Sequence, residues 1–383
     1  MNAKHRRNSA AAEDWRSQLQ HRVTTVEQLR EWINVSPEEE EAIAACEGNY
    51  RWGITPYYAS LMDKDDVACP IRRQAVPSLG EFESHPNASV DPVEDMLHRK
   101  TNRVVHKYPD RVLVLVTGVC PVYCRHCTRK YHTMDVNGTY FEEGETTSWE
   151  ADFEYIASHR EVRDVLLSGG DPLTYGDDRL EEVVSRVREI PHVEIIRIGS
   201  RFPVVLPQRI TPELCEMLER YHPLWLNTHF NHPREITPQA AQACDRLTRH
   251  GIVVQNQSVL LKGINDDLPT MRALLTGLLR IRVLPYYLYH CDNAVGVSHL
   301  ATSLERGRQI MRGLLGHTTG FAVPRYVLTT PLGKIPLWEE SIDQGEDGYW
   351  VENYKHERMN VDGLLVPGDA GGGGSDPRTE TGE

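Results

Sequence analysis

From Arg111 onward the chain alternates β-branched apolar runs with amphipathic stretches, and no other feature limits the fold so tightly. The runs are RVLVLVT (111–117), RDVLLS (163–168), VEIIRIG (193–199), PLWLNTHF (223–230), IVVQNQS (252–258) and IRVLPYYLY (281–289). Helical patterns occupy 148–158, 179–189, 211–221, 238–250, 268–280 and 303–314. Thr211-Pro212 and Thr237-Pro238 pair an N-cap with proline in the first turn, and Thr147-x-x-Glu150 reads as a capping box. Helical connections of this length join parallel strands. Six such units in succession predict an α/β fold, a partial (β/α)6 barrel.

The flanking regions differ in composition. Residues 13–65 are rich in helix formers, with Ser36-Pro37-Glu38-Glu39 marking a helix start, and 66–105 mix proline, charge and short apolar pieces; together 13–105 should form a mostly helical N-terminal region before a barrel at 106–328. A short C-terminal segment covers 329–367. Residues 1–12 and 368–383 (GDAGGGGSDPRTETGE) cannot bury a core and are expected to be disordered. A formal net charge of -13 disfavours nucleic acid or an anionic membrane as partner. With no apolar run of membrane-spanning length and no signal core at the N-terminus, the expected location is the cytoplasm.

Unusual polar residues fall just beyond each apolar run. A cysteine cluster follows the first, Gly169-Gly170-Asp171 the second and Gly199-Ser200-Arg201 the third. His229 and Asn231 follow the fourth, Gln257-Ser258 the fifth, and His290-Cys291-Asp292 the sixth. Loops converge at the carboxyl ends of parallel barrel strands, so these groups should build one site.

Three of the eight cysteines, Cys120, Cys124 and Cys127, form a CxxxCxxC segment. Without a secretion signal such clustering indicates a metal or redox centre, while the scattered cysteines read as small buried hydrophobes. A zinc ion would recruit a fourth ligand from His126 or His132. A [4Fe–4S] cluster on three cysteines keeps one iron open, the hallmark of radical S-adenosylmethionine (SAM) enzymes, whose open iron chelates SAM. The Gly169-Gly170 pair lets backbone approach a ligand, and Asp171 can take the ammonium of SAM.

The stretches YPDRVLVLVT, CRHCTR, DVLLSGGDPL, IPHVEIIRIGSRFPVVLPQRITPEL, LNTHFNHP and NQSVLLKGIND resemble lysine 2,3-aminomutase and its relatives, with similarity from about residue 14 to about 338. The resemblance implies a radical SAM partial barrel and three cofactors: the [4Fe–4S] cluster, SAM and pyridoxal 5′-phosphate (PLP). It implies exchange of an α-amino group and a β-hydrogen, begun by a 5′-deoxyadenosyl radical while PLP holds the substrate nitrogen. Lys334 matches the family's PLP lysine. Tyr108 and Arg111 match residues near PLP, Arg111 suiting its phosphate, and Ser168, His229 and Gln257 match positions around SAM. Arg129 matches the arginine that pairs with the substrate carboxylate.

In the lysine enzymes two aspartates grip the distal ammonium of the substrate. Asp292 matches the first, and Thr329 stands at the second. One retained carboxylate still favours a basic side chain, and a guanidinium suits one carboxylate plus a hydroxyl. The expected reaction is therefore L-arginine to β-arginine, with L-lysine to β-lysine as the alternative. Asp267 stands where the family has a zinc-binding cysteine, and no cysteine follows Cys291, so no structural zinc is expected. The expected partners are an amino acid substrate, a flavodoxin or ferredoxin as electron donor, and further copies of the chain. Rival readings are a radical SAM enzyme acting on protein-bound lysine and a zinc-stabilised binding protein without catalysis.

Overall fold

The computed structural model describes residues 14–137, 148–330, 333–337, 342–345, 348–353 and 355–361. Nine strands form one sheet in simple chain order. They are β1 (Val104–Tyr108), β2 (Arg111–Thr117), β3 (Asp164–Gly169), β4 (Ile195–Gly199), β5 (Leu224–Thr228), β6 (Val253–Leu260), β7 (Leu284–His290), β8 (Arg325–Thr330) and β9 (Gly333–Pro336). Strands β2 to β8 run parallel, while β1 and β9 pair antiparallel at the two edges.

The six anticipated strands are all present, and β8 adds a seventh parallel strand to the expected (β/α)6 array. The proposed boundary at 328/329 cuts through β8, and the one at 105/106 cuts through β1. Both strands are short segments beside a tight turn. Tyr108 lies opposite Arg111 in one hairpin, and Thr330 opposite Gly333 in the other. Such pieces gain their strand character from the neighbour they pair with rather than from a long apolar run.

The helices lie close to their expected places, at Glu150–Ser158, Asp177–Arg188, Pro212–Glu219, Pro238–Arg249, Leu268–Arg280 and Leu304–Leu314. Thr211 accepts from the Leu214 N–H and Thr237 from the Ala240 N–H, as N-caps should. Thr147 lies outside the described residues, and Trp149 caps its helix without a side-chain hydrogen bond.

Strand alternation separates two faces. In β3, Val165 and Leu167 are buried in the core, whereas Asp164, Leu166 and Ser168 line the lumen. In β4, Ile196 and Ile198 are buried while Arg197 and Gly199 face inward. Curling brings the sheet's edges together through side chains. The Lys334 N–H donates to the Tyr108 hydroxyl (3.0 Å), and Lys107 Nζ donates to the Thr330 carbonyl (3.3 Å).

The N-terminal region contains helices at Trp15–Gln20, Val26–Arg30, Pro37–Cys46, Pro56–Ser60 and Pro70–Arg73, with Ser36 and Glu39 forming a capping box. It is not a separate body. Leu29, Ile33 and Tyr57 share one apolar core with Val114, Leu167 and Ile196 of the barrel. Ion pairs add a second tie: Glu81 accepts from Arg125 Nη2 (2.5 Å) and Lys130 Nζ (2.6 Å) with all three side chains buried. Beyond Pro336, Ile342–Gly345, Gly348–Glu352 and Arg358–Asn360 form a small antiparallel sheet. The two termini expected to be disordered lie outside the described residues.

Candidate active site

The barrel lumen holds a cavity of about 510 Å³. It runs from Arg111 and Asp164, at the amino ends of β2 and β3, up to Ser168, His229 and Asp292 at the opposite ends. The site is therefore deeper than the rim of loops anticipated from sequence. Because inward positions alternate along each strand, charged residues within the apolar runs point into the lumen.

Lys334 stands on β9 opposite Thr329 of β8. Its ammonium lies 5.3 Å from the Tyr287 ring and 5.1 Å from the Tyr289 ring. The lumen leaves the side chain accessible, yet protein surrounds it closely, and burial lowers its pKa. Its approach depends on Gly333, where φ is +109° and a Cβ would lie 3.1 Å from the Tyr108 hydroxyl. Tyr108 also carries the Arg111 guanidinium over its ring at 3.9 Å. Both residues line the cavity with Lys334.

Arg129 reaches the same cavity. Its Nε donates to Asp95 Oδ2 (2.6 Å) and its Nη2 to Asp95 Oδ1 (3.4 Å), while Tyr131 donates to the same carboxylate (3.1 Å). Asp292 accepts from the Thr128 hydroxyl at 2.7 Å through Oδ2. Burial raises its pKa, with the Thr128 and Thr329 hydroxyls acting against the rise. No hydrogen bond of ordinary geometry reaches Asp292 Oδ1 among the described residues. A buried carboxylate oxygen left in this way is a receptor for a cation.

Ser168, His229 and Gln257 line the upper lumen. Burial, with Arg201 and Arg129 nearby, lowers the His229 pKa to about 4, so its imidazole is neutral at neutral pH.

The cysteines sit in the loop after β2, outside the cavity lining. Burial raises the Cys120 thiol, and Cys127, Asp171 and Cys124 close by raise it further. Arg201 Nη1 donates to Cys124 Sγ at 2.7 Å. No three His, Cys, Asp or Glu side chains among the described residues converge tightly enough to hold a single ion. Thiolates on a cube occupy separate corners, and three thiols from one short loop suit such a cluster. Of the two histidines considered as zinc ligands, His126 uses Nε2 on the Asn231 amide (3.2 Å) and His132 uses Nε2 on the Thr117 carbonyl (3.1 Å).

Gly169, Gly170 and Asp171 support that loop and do not line the cavity. A Cβ on Gly170 would lie 2.5 Å from the Val119 carbonyl, and Gly169 adopts φ of +108°. Both Asp171 oxygens are engaged by backbone, Oδ1 by the Leu173 N–H (3.1 Å) and Oδ2 by the Arg201 N–H (2.7 Å). Asp171, expected to take the ammonium of SAM, thus also fixes the turn through one backbone bond on each oxygen, which leaves each a further lone pair.

Lining residues that escaped the sequence reading include Asp95, Thr128, Asn227, Tyr287, Tyr289 and the Arg197–Asp164 ion pair (2.8 Å). Arg197 had a visible signal, a lone charge inside Ile195-Ile196-Arg197-Ile198. Asp95 had none, because it comes from a loop far from Arg129 in the chain.

The Radical SAM superfamily model matches residues 114–275, which begins within β2 and ends in the helix after β6. The chain is 48% identical over 331 residues to the L-lysine 2,3-aminomutase of Fusobacterium nucleatum, covering 86% of this chain and 77% of that protein. It is 46% identical over 349 residues to the L-lysine 2,3-aminomutase of Clostridium subterminale, covering 89% and 82%. The chain belongs to the lysine 2,3-aminomutase family. Glutamate 2,3-aminomutase of Clostridioides difficile is also similar, 41% identical over 356 residues, covering 91% of this chain and 83% of that one. The protein is accordingly a radical SAM amino acid 2,3-aminomutase, an isomerase that uses a [4Fe–4S] cluster and SAM. Among the described residues no helix is long and apolar enough to cross a membrane.

Proposed function

We propose that the enzyme moves the α-amino group of a free basic L-amino acid to the neighbouring carbon, with PLP held on Lys334. The observation that carries this reading is the buried, incompletely bonded Asp292 carboxylate in the cavity that Lys334 and Arg129 also line. Arg129 takes the substrate carboxylate and Asp292 the side-chain cation, which fixes both ends of the substrate and leaves its central carbons between them. PLP, when bound, carries the migrating nitrogen and stabilises the adjacent radical. Arg111, stacked on Tyr108, suits the phosphate, and the lowered pKa of Lys334 makes its amine a better nucleophile at neutral pH. Ser168, His229 and Gln257 line the part of the lumen assigned to SAM.

Among basic substrates, L-lysine is the reading supported by the relatives' names, which are those of lysine enzymes at 48% and 46% identity. L-arginine is favoured by one specific observation. Thr329 supplies a hydroxyl beside Asp292, an arrangement that suits a planar guanidinium with several N–H donors. An acidic substrate, as in the glutamate relative, would meet the Asp292 charge unfavourably. The reading includes a flavodoxin or ferredoxin as electron donor and a homo-oligomeric state. Anaerobic turnover with SAM, PLP, dithionite and each amino acid separates the substrates. A β-amino acid from lysine or arginine supports the proposal, and turnover of glutamate alone rejects it.

A further inference from the structure

The Gly199-Ser200-Arg201 turn after β4 has found no role in the reaction described above, although Arg201 reaches the cysteine loop. Its guanidinium is almost fully buried and almost fully committed. Nη1 donates to Cys124 Sγ (2.7 Å), Nε to the His229 carbonyl (3.1 Å), and Nη2 to Gln74 Oε1 (2.6 Å), Glu235 Oε1 (2.8 Å) and the Tyr58 hydroxyl (3.1 Å). Its backbone N–H is held by Asp171. Glu235 is fixed in turn by the N–H groups of Asn231 (2.6 Å) and His232 (2.9 Å).

One ion pair would be satisfied by Arg201 and Glu235 alone. The geometry instead aims one guanidinium edge at a cluster ligand and anchors the other edge to three polar side chains from distant parts of the chain. We propose that Arg201 is a positioning residue that tunes the cluster, donating a charged hydrogen bond to the Cys124 sulfur and so raising the cluster's reduction potential. Reduction adds negative charge to the cluster and its thiolates, and a fixed cation hydrogen-bonded to one sulfur stabilises the reduced form more than the oxidised form. Rigidity matters because a mobile cation would reorganise with each electron transfer. Four supporting contacts supply that rigidity, and Asp171 sets where the arginine leaves the backbone.

The test uses the full chain, reconstituted anaerobically with iron and sulfide, and reads the midpoint potential by EPR-monitored titration without SAM or substrate. Arg201→Lys keeps a cation but moves the donor from the sulfur. The double variant Arg201→Gln/Glu235→Gln removes both charges and leaves neither buried alone. A potential more negative than that of the parent enzyme in both variants is the expected result. Folded protein that no longer takes up the cluster in either variant assigns Arg201 to shaping the cysteine loop and overturns the tuning role. An unchanged potential in a variant with full iron content overturns the proposal, as does failure of both variants to fold, which would assign Arg201 to the fold alone. Substrate turnover plays no part in the measurement, so an error in the assigned substrate leaves the result intact.

Discussion

Asp95 clasps Arg129 along one edge only, Nε at 2.6 Å and Nη2 at 3.4 Å, so that Nη1 makes no hydrogen bond among the described residues. A guanidinium held this way presents a preset edge to a carboxylate. Asp95→Asn should therefore weaken substrate capture more than chemistry. The expected change is a KM rise of roughly tenfold, corresponding to about 1.4 kcal/mol, with kcat much less affected. Steady-state kinetics under anaerobic conditions check it.

Asp292 has the opposite need: Arg129 and Lys334 act on it electrostatically, but among the described residues no cation hydrogen-bonds to its Oδ1. Asp292→Asn should lower kcat/KM for the basic substrate by roughly thirtyfold or more, about 2 kcal/mol. Thr329→Asp supplies a second carboxylate and should shift the ratio of lysine to arginine turnover toward lysine by about tenfold, ~1.4 kcal/mol. Competition between the two amino acids, read by mass spectrometry, measures that ratio.

Lys334 holds its ammonium beside two neighbouring tyrosine rings, with its pKa lowered by burial. Lys334→Ala should abolish turnover while leaving iron content intact. Borohydride should fix PLP covalently to the parent chain and fail to do so in the variant. Equal covalent labelling of both would remove Lys334 from the proposed role.

The three buried side chains Glu81, Arg125 and Lys130 predict an acid-sensitive step. Burial acts to raise the Glu81 pKa, but Arg125 and Lys130 outweigh it and hold it at about 2, below the ordinary 4.5. A depressed carboxylate pKa means that the unfolded chain binds the proton more readily. Its stabilisation, on the order of a few kcal/mol, is complete above about pH 5 and is lost as pH falls toward about 2. Thermal melts of the metal-free chain between these limits should show a steep decline that is shallower in Glu81→Gln. That variant should also melt lower at neutral pH, because Arg125 and Lys130 remain buried without their partner.

Replacing Cys120, Cys124 or Cys127 by alanine should abolish both the brown cluster colour and turnover. Metal analysis of the parent enzyme should find iron without stoichiometric zinc, given Asp267 at the position discussed above.

What the sequence determined by itself was periodic or local. Alternating runs and helix caps such as Thr211 and Thr237 placed six strands and six helices, because burial pattern and capping act over a few residues. The CxxxCxxC spacing announced the metal centre for the same reason, since its ligands are neighbours in the chain. Tertiary structure decided everything that depended on distant partners. β1 and β8 became strands through pairing, Asp171 gained a role as turn anchor when Arg201 arrived beside it, and Asp95 met Arg129 only through the fold. The cavity belongs to this second class: alternation sends Arg111, Asp164 and Arg197 inward, but only the curl of the sheet makes their common side an enclosed space.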